Sequence, residues 1–222
     1  MAYTFQFGVV ADNFPALLQG AAETVELSAA AMAGGLAVGV LGALARNVGP
    51  RPAAIAVRAY VEIIRNTPFL VQLFIVYFSL PAIGLRLSAN GAAVLGMALY
   101  AGAYITEILR GGIGAVPRGE VEAARALGLT KLQVFGLVVL PQALRIAYPA
   151  LSSQFILLML ASSVVSTISA EELTAVTNTL QSTTFRAFEF YFAATALYLL
   201  MALGFRAVLD GIRRLAFGRA VT

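Results

Sequence analysis

The sequence predicts an all-α membrane protein with about five transmembrane helices in a single domain that covers residues 1–222. Of its 222 residues, 60% are hydrophobic and only 12% are charged, which is more apolar and less charged than a typical soluble domain. The apolar residues also gather into charge-free runs that approach or exceed the ~17–20 residues a helix needs to cross the hydrocarbon core. A soluble fold would have too little polar surface to cover such a core, so a polytopic membrane protein is the direct interpretation.

Five charge-free runs define the predicted spans. They are Leu27–Ala45, Asn66–Leu85, Leu87–Thr106, Ile146–Ala170 and Phe190–Phe205. The spans themselves are predicted near residues 19–45, 61–82, 87–110, 146–170 and 187–210. The first begins before its run, near Gln19, so that Glu23 and Glu26 face water. The shorter run Leu132–Leu144 lies between two basic residues and predicts an interfacial or buried helix rather than a sixth span.

The basic residues predict the orientation of these spans. With the N-terminus outside, 13 of the 15 lysines and arginines fall on the inner side, and only Arg86 and Arg186 remain outside. Cytoplasmic loops carry the excess of basic residues in membrane proteins. The sequence therefore predicts a multi-pass membrane protein with its N-terminus outside and its C-terminus in the cytoplasm. The net charge of +4 is interpreted as this topology signal, and no nucleic-acid partner is expected.

Several classes of chemistry lack the residues they need. The chain has no cysteine and no histidine, which excludes disulfides, thiolate metal sites and the commonest general base. The Gly-Lys-Ser/Thr ending of a phosphate-binding loop is also absent. We therefore expect no catalytic residues, no bound metal and no cofactor on this chain. The opening residues, MAYTFQFGVVADNF, carry no positive region ahead of an apolar one, so no cleaved signal peptide is expected.

Small residues and prolines within and beside the spans predict helix contacts and helix ends. Gly35 and Gly39 have the spacing that lets two helices approach closely, and packing inside one bundle is favoured over a contact between two copies. Four prolines at span edges are predicted to end helices, because proline lacks the N–H that a helix interior requires. These prolines are Pro68, Pro81, Pro141 and Pro149.

Residues 117–136 predict a polar helix between two spans. The stretch GEVEAARALG, Gly119–Gly128, follows Pro117 and is rich in strong helix formers. Glu122 and Arg125 are three residues apart and are placed to pair across the helix surface. The three alanines of this stretch leave the helix thin enough to fit a groove in another protein.

The same segment predicts a helix stop and a restart. Gly128 supplies the positive φ that commonly ends a helix. Thr130 and Gln133 form the Thr-x-x-Gln pattern of a capping box that begins the next helix. A random loop rarely carries these signals so densely, so we expect a docking helix. Because the chain has no ATP-hydrolysing motif of its own, the partner that docks there is expected to be a motor.

Polar residues at membrane depth are candidates for a substrate path. They are Gln72, Gln154, Ser162, Ser163 and Ser166. The alternative for the serines is hydrogen bonding to carbonyls of their own helix. Two further pairs have three-residue spacing: Glu62 with Arg65, and Glu107 with Arg110. We interpret them as interfacial ion pairs, and a role as elements of a gate is the second choice.

The segment resembles the EAA signature of permease subunits of bacterial ABC importers. Glu122-Ala123-Ala124 is followed after three residues by Gly128, and after nine more by Val138-x-Leu140-Pro141, with valine in place of the usual isoleucine. The flanks RNTPFLVQLFIVYFSLPAIGLRLS, YAGAYITEILRGGIGAVPRGE and LPQALRIAYPALSSQFI are similar to the polar-amino-acid permeases of the histidine, glutamate and glutamine type. The resemblance extends from about residue 19 to residue 214.

This resemblance implies a type I importer permease of the bacterial inner membrane that pairs with a second copy or a sister permease. It implies two ATPase subunits, which hold the ATP and Mg²⁺, and a periplasmic solute-binding protein. It also implies that a cytoplasmic coupling helix enters a cleft of the ATPase. The residues it assigns to coupling are Glu122, Ala123, Ala124, Leu127, Gly128, Leu140 and Pro141.

One position departs from the family pattern. Many relatives carry a Lys-Asp pair in the fourth span where this chain has Leu160 and Ala161, so a charged contact at that depth is missing. Two other functions compete with the importer permease: a membrane anchor or assembly subunit without a transport path, and a proton-coupled carrier. The carrier ranks last because it requires an acidic residue or a histidine in the middle of a span, and the acids of these spans lie near the span ends. The transported amino acid and the choice between homodimer and heterodimer stay open.

Overall fold

The computed structural model describes residues 3–218, and every regular element in that range is helical. The α-helices are α1 (Gly8–Asp12), α2 (Phe14–Val48), α3 (Arg51–Arg65), α4 (Phe69–Ser79), α5 (Ala89–Gly114), α6 (Arg118–Ala126), α7 (Lys131–Gln133), α8 (Leu140–Ala161), α9 (Leu173–Thr184) and α10 (Ala187–Phe217). Three tighter or wider helical segments complete the chain: 3₁₀ turns at Leu80–Ile83 and Ser162–Ile168, and a π-helical segment at Val134–Val139.

Four continuous helices in the described range are long and apolar enough to cross a membrane. They are α2, α5, the run Lys131–Ile168 and α10. A fifth crossing requires α3 and the stretch Phe69–Ile83 to count together as one broken span. The predicted all-α membrane fold is confirmed.

The region predicted as a span near 61–82 is not one helix. α3 begins ten residues earlier, at Arg51, and the chain then bends by 111° before α4. The break lies at Asn66–Pro68, where Pro68 occupies the N-cap of α4 with an extended backbone. Proline has no N–H to donate and disfavours helical geometry in the residue before it, so one helix cannot continue through this point.

The stretch predicted as a separate helix, Leu132–Leu144, instead runs without interruption into the following span. The π-helical segment Val134–Val139 joins α7 to α8, and the helical run extends from Lys131 to Ile168. The prediction that Pro141 and Pro149 end helices is therefore wrong. Pro141 lies in the first turn of α8 and Pro149 in its interior. Pro141 lies two residues after the end of the π-helical segment, a place where the regular helical hydrogen-bond pattern is already altered.

Glycines bring α2 and α5 into close contact. A Cβ atom at Gly35 would lie 2.6 Å from the Ala101 Cβ, and one at Gly39 would lie 2.6 Å from the Ile105 Cβ. The reverse also holds, since a Cβ at Gly102 would lie 2.5 Å from the Val38 side chain. The predicted packing of the first span inside one bundle is confirmed, and this pair forms the centre of the fold.

Three apolar clusters stabilise the rest of the bundle. The largest joins α2, α4, α5 and α8 around Leu73, Met97 and Leu158. A second joins α1, α2, α9 and α10 around Phe190. A third holds α6 against the π-helical segment and α8. Because α5 ends at Gly114 and α6 begins four residues later, α6 lies at the end of the bundle where α5 terminates, and this end is called the α6 end below.

Candidate functional site

The polar helix α6 stands between two long helices and presents most of its surface outward. Its first turn carries Glu120 and its last turn Arg125, an arrangement that matches the polarity of the helix dipole. Only Ala124 is buried, at 5% exposure, and it packs with Val134, Val139 and their neighbours. Glu122 and Arg125 form no ion pair within 4 Å, so the predicted pairing is not made.

The stop after α6 has the predicted backbone geometry. Gly128 has φ +79°, and its N–H donates to the Arg125 carbonyl at 2.9 Å while the Leu129 N–H donates to the Ala124 carbonyl at 3.3 Å. Left-handed residues of this kind end helices by satisfying the last carbonyls. A Cβ at Gly128 would meet nothing within 4 Å. The glycine is therefore required by backbone conformation and not by lack of space.

The restart after this stop has the predicted capping box. The Thr130 side chain accepts from the Gln133 N–H at 3.4 Å, and the Gln133 Oε1 accepts from the Thr130 N–H at 2.9 Å. These two bonds satisfy donors that the first turn of a helix otherwise leaves open. The direction of α6 is thus set by a rigid connection of four residues, Leu127–Thr130.

The residues assigned to coupling divide into an exposed group and a packed one. Leu127 is 83% exposed, and Glu122, Ala123 and Pro141 are also exposed. Leu140, at 38%, is at the margin of exposure, and Ala124 is the residue that holds α6 to the bundle. A protruding apolar side chain beside a thin polar helix is a surface suited to a groove in another protein.

The serines of the fourth span bond to their own helix, as the alternative interpretation held. The hydroxyls of Ser162, Ser163 and Ser166 donate to the carbonyls of Met159, Leu160 and Ser163 at 2.7, 2.9 and 2.7 Å. Ser162 is fully buried. Ser166 differs, because it also lines a cavity of about 610 Å³ together with Gln19, Glu23, Glu171 and Asn178. This cavity lies at the end of the bundle opposite α6.

The two glutamines lie in different surroundings. The Gln72 amide nitrogen donates to the Ile64 carbonyl at 2.8 Å and to the Thr67 carbonyl and hydroxyl at 3.0 and 2.8 Å, so it holds the break between α3 and α4. Gln154 is 7% exposed and points into the bundle from α8. Leu160 and Ala161 occupy the last turn of α8 and are partly exposed.

One of the two predicted ion pairs is formed. Arg110 donates to the Glu107 carboxylate at 2.8 and 3.0 Å, as expected. Glu62 pairs with Arg58 at 2.8 Å instead of with Arg65, so that prediction is wrong. Four-residue spacing places Arg58 on the same helix face as Glu62, and the Arg65 guanidinium turns toward Glu107, where the closest approach is 4.0 Å.

Two buried carboxylates were not predicted as buried. Glu172 is fully buried at the N-cap of α9, where it accepts from the Ala175 N–H at 2.8 Å and from the Tyr198 hydroxyl at 2.5 Å. Burial raises the pKa of the Glu172 carboxyl. Glu189, in the first turn of α10, is also buried and accepts from the Tyr3 hydroxyl at 2.5 Å. The signal that could have identified both is an acidic residue directly at a helix start.

Residues 35–219 match the family described as the binding-protein-dependent transport system inner membrane component. The chain belongs to this family. The match covers more than half of the sequence and includes α5, α6, the Gly128 stop and the restart after it. The permease resemblance drawn from the residues is therefore confirmed.

Curated relatives and solved structures agree with the family match. The chain is 35% identical over 195 residues to the probable glutamine ABC transporter permease protein GlnM of Bacillus subtilis (strain 168), covering 88% of this chain and 90% of that one. It is 34% identical over 212 residues to the glutamine transport system permease protein GlnP of Escherichia coli (strain K12), covering 95% and 97%.

Two solved structures share the fold. A structure described as an amino acid ABC transporter with histidines superposes with a TM-score of 0.89 at 35% identity and covers 96% of this chain and 99% of that one. An inward-facing structure of the MetNI methionine ABC transporter superposes with a TM-score of 0.75 at 23% identity over 92% and 98% of the two chains. The second likeness concerns the fold alone.

Proposed function

We propose that this chain is the membrane-spanning permease subunit of an ATP-driven importer that moves polar amino acids from the periplasm to the cytoplasm. The observation that carries the proposal is the family match over residues 35–219, with nearly full-length relatives that are named as glutamine permeases. A non-transporting anchor is not favoured, since those relatives are named as transport proteins. A proton-coupled carrier has no support from the two buried carboxylates, because both lie at helix starts, outside mid-span.

The proposed orientation places the α6 end in the cytoplasm. Thirteen of the 15 basic residues belong to that side by the sequence count, and inner loops carry this excess. ATP and Mg²⁺ are then held by separate ATPase subunits below α6, and this chain only transmits their motion. A periplasmic solute-binding protein docks at the opposite end. A second copy of the chain, or a sister permease, completes the translocation unit.

The proposed coupling element is α6 together with its stop. Closure of the ATPase pushes on the exposed surface of Glu122, Ala123 and Leu127. The buried Ala124 and the connection around Gly128 pass this push to the π-helical segment and α8, to which α6 is packed. Leu140 and Pro141 mark the point where that segment becomes the long helix of the fourth span.

The proposed substrate path runs past Ser166. Of the three candidate serines Ser162, Ser163 and Ser166, only Ser166 lines the cavity opposite α6, and Glu23 and Glu171 line the same cavity. Ser166→Ala keeps the space and removes one hydroxyl, a change of about 1 kcal/mol for a single hydrogen bond. Uptake affinity is expected to fall severalfold in this variant. Ser163→Ala, which removes a similar hydroxyl one turn away, is the matched control and is expected to transport normally.

The experiment that tests the proposed function is uptake in proteoliposomes. The chain is reconstituted with its ATPase and solute-binding protein, and uptake of labelled glutamine and other polar amino acids is measured with ATP and with a non-hydrolysable ATP analogue. ATP-dependent accumulation supports the proposal. An assembled complex that hydrolyses ATP but accumulates none of the amino acids contradicts it.

A further inference from the structure

A charged cavity of about 590 Å³ opens at the α6 end, between the end of α2, the arginine face of α3 and the last three turns of α5. Its charged lining residues are Arg46, Arg58, Arg65, Arg110, Glu62 and Glu107. Four guanidinium groups stand against two carboxylates, which gives the lining a net charge of +2. Arg58 and Arg65 lie seven residues apart, or two helical turns, and therefore share one face of α3.

Both carboxylates of this cavity already have partners. Glu62 accepts from the Arg58 Nε at 2.8 Å. Glu107 is 17% exposed, and it accepts from Arg46 with one oxygen and from Arg110 at 2.8 and 3.0 Å with the other. Three of the four arginines are thus paired within the cavity wall.

Arg65 is the arginine that these carboxylates do not satisfy. Its closest carboxylate oxygen, on Glu107, is 4.0 Å away, which is beyond hydrogen-bond distance. Its guanidinium lies over the Tyr104 ring, 5.3 Å from the centroid, and its side chain is 44% exposed. Within residues 3–218 the Arg65 side chain donates no hydrogen bond to a protein group. The ring therefore supports the guanidinium by a cation–π contact and leaves its N–H donors free to face the cavity.

We propose that this cavity is a binding site for an oxyanion, a carboxylate or a phosphate group, with Arg65 as its principal ligand. A guanidinium offers paired N–H donors in the plane that matches both groups. A cavity lined by an excess of one charge also raises the local concentration of the opposite charge. The oxyanion has two sources at this end of the bundle: the carboxylate of a free amino acid, and the phosphate of an anionic lipid headgroup. The phosphate of phosphatidylcholine is offset by the ammonium of its own choline group, so phosphatidylcholine is the neutral reference lipid. The proposal does not depend on transport, because binding here needs neither the ATPase nor ATP.

The competing interpretation is a closed network of ion pairs that only ties α2, α3 and α5 together. Under that interpretation the Arg65 side chain contributes to stability, and no added anion changes its surroundings. A binding measurement therefore separates the two interpretations, whereas a stability measurement alone does not.

The chain contains no tryptophan, so Tyr104→Trp places the single tryptophan of the chain under the Arg65 guanidinium. Tryptophan also preserves the cation–π contact. The full chain is incorporated into nanodiscs of phosphatidylcholine and titrated with sodium phosphate and with sodium acetate, with sodium chloride holding the ionic strength constant. A saturable change of tryptophan emission is expected. Calorimetric titration of the chain without the reporter substitution gives the same binding constant if the reporter is faithful.

The variant Arg65→Gln in the reporter background is expected to bind roughly 10- to 100-fold more weakly, the range for loss of a charge-assisted hydrogen bond. Arg65→Lys keeps the charge without the planar donors, and its affinity is expected to lie between that of the unsubstituted reporter chain and that of Arg65→Gln. Arg51→Gln is the matched control, because it removes the same charge from the same helix face but does not line the cavity. Its binding constant is expected to change by less than about threefold.

A second arm replaces part of the phosphatidylcholine with phosphatidylglycerol. If lipid phosphate occupies the site, the anionic lipid itself shifts the emission, added phosphate no longer does, and both effects depend on Arg65. An Arg65-dependent response in either arm supports the proposal and assigns the source. A response that is absent in both arms, or that is unchanged in a folded Arg65→Gln variant, overturns it.

Discussion

Substitution of Gly128 perturbs the backbone at the end of α6 without any steric conflict. The residue has φ +79°, and a Cβ added there would meet nothing within 4 Å. The penalty for a side chain is therefore the cost of the left-handed conformation alone, about 1–2 kcal/mol for an ordinary residue. It is larger for a β-branched residue, for which positive φ is a genuine outlier. Asparagine adopts this region more readily than other residues with side chains.

These costs predict an order of function: glycine, then asparagine, then alanine, then valine. A penalty of about 1.4 kcal/mol already changes an equilibrium tenfold, so Gly128→Val is expected to let α6 continue past its stop in most molecules. The Leu129 N–H then loses its bond to the Ala124 carbonyl, and the exposed Leu127 points in another direction. Gly128→Ala is expected to give a partial defect and Gly128→Asn a small one.

The assay is co-purification of each variant with the ATPase, together with ATP-dependent uptake in proteoliposomes. Gly119→Ala is the matched control, since Gly119 lies inside α6 and an added Cβ would also meet nothing within 4 Å. Alanine there favours the helix by about 0.5–1 kcal/mol relative to glycine. It is expected to couple normally. Normal assembly and uptake by Gly128→Val would refute the claim that the left-handed stop positions α6.

Three further outcomes follow from the packing, the buried acid and the orientation. Gly39→Ala is expected to destabilise the folded chain by about 1–3 kcal/mol, because its Cβ would overlap the facing helix α5. The control Gly204→Ala, in open space on α10, is expected to be neutral or stabilising. Equal melting temperatures for the two variants would contradict the close packing of α2 and α5. Burial raises the pKa of Glu172, so its stabilising contribution is present at low pH and is lost as pH rises through the raised pKa. The melting temperature of Glu172→Gln is therefore expected to fall less steeply than that of the unsubstituted chain as the pH rises above the ordinary pKa of a glutamate. Parallel pH profiles for the two chains would contradict the titration of Glu172. A single cysteine at Gly119 is expected to resist an impermeant thiol reagent applied outside, and one at Thr183 is expected to react; the opposite pattern would invert the orientation.

Local signals predicted the α6 region well. The Gly128 stop and the Thr130 capping box each depend on residues within four positions, so their geometry can be predicted from the local sequence. A close helix contact at Gly35 and Gly39 within one bundle was also predicted from their spacing, although the sequence did not identify α5 as the partner helix.

Features that depend on more than one helix were predicted poorly. The bend between α3 and α4 was predicted only in part. Pro68 was expected to end a helix, but hydropathy joined the residues on both sides of it into one span. Arg65 was assigned to Glu62, three residues away, because the sequence does not show that Glu107 of another helix lies beside it. Pro149 was expected to end a helix, but it lies in the interior of α8. Proline is tolerated inside a membrane helix where nearby groups satisfy the backbone carbonyl that it leaves without a donor.

The central claim is that α6 joins this permease to a separate ATPase, and the most direct measurement is site-specific photo-cross-linking. A photoreactive amino acid is placed at Leu127, which is 83% exposed beside α6, or at Phe185, which is 87% exposed at the opposite end of the bundle. The two side chains are similarly exposed, so accessibility does not favour a cross-link from residue 127. The account predicts a cross-link to the ATPase from residue 127, in a yield that changes with ATP, and none from residue 185. Cross-linking to the ATPase from residue 185 but not from residue 127 would contradict it.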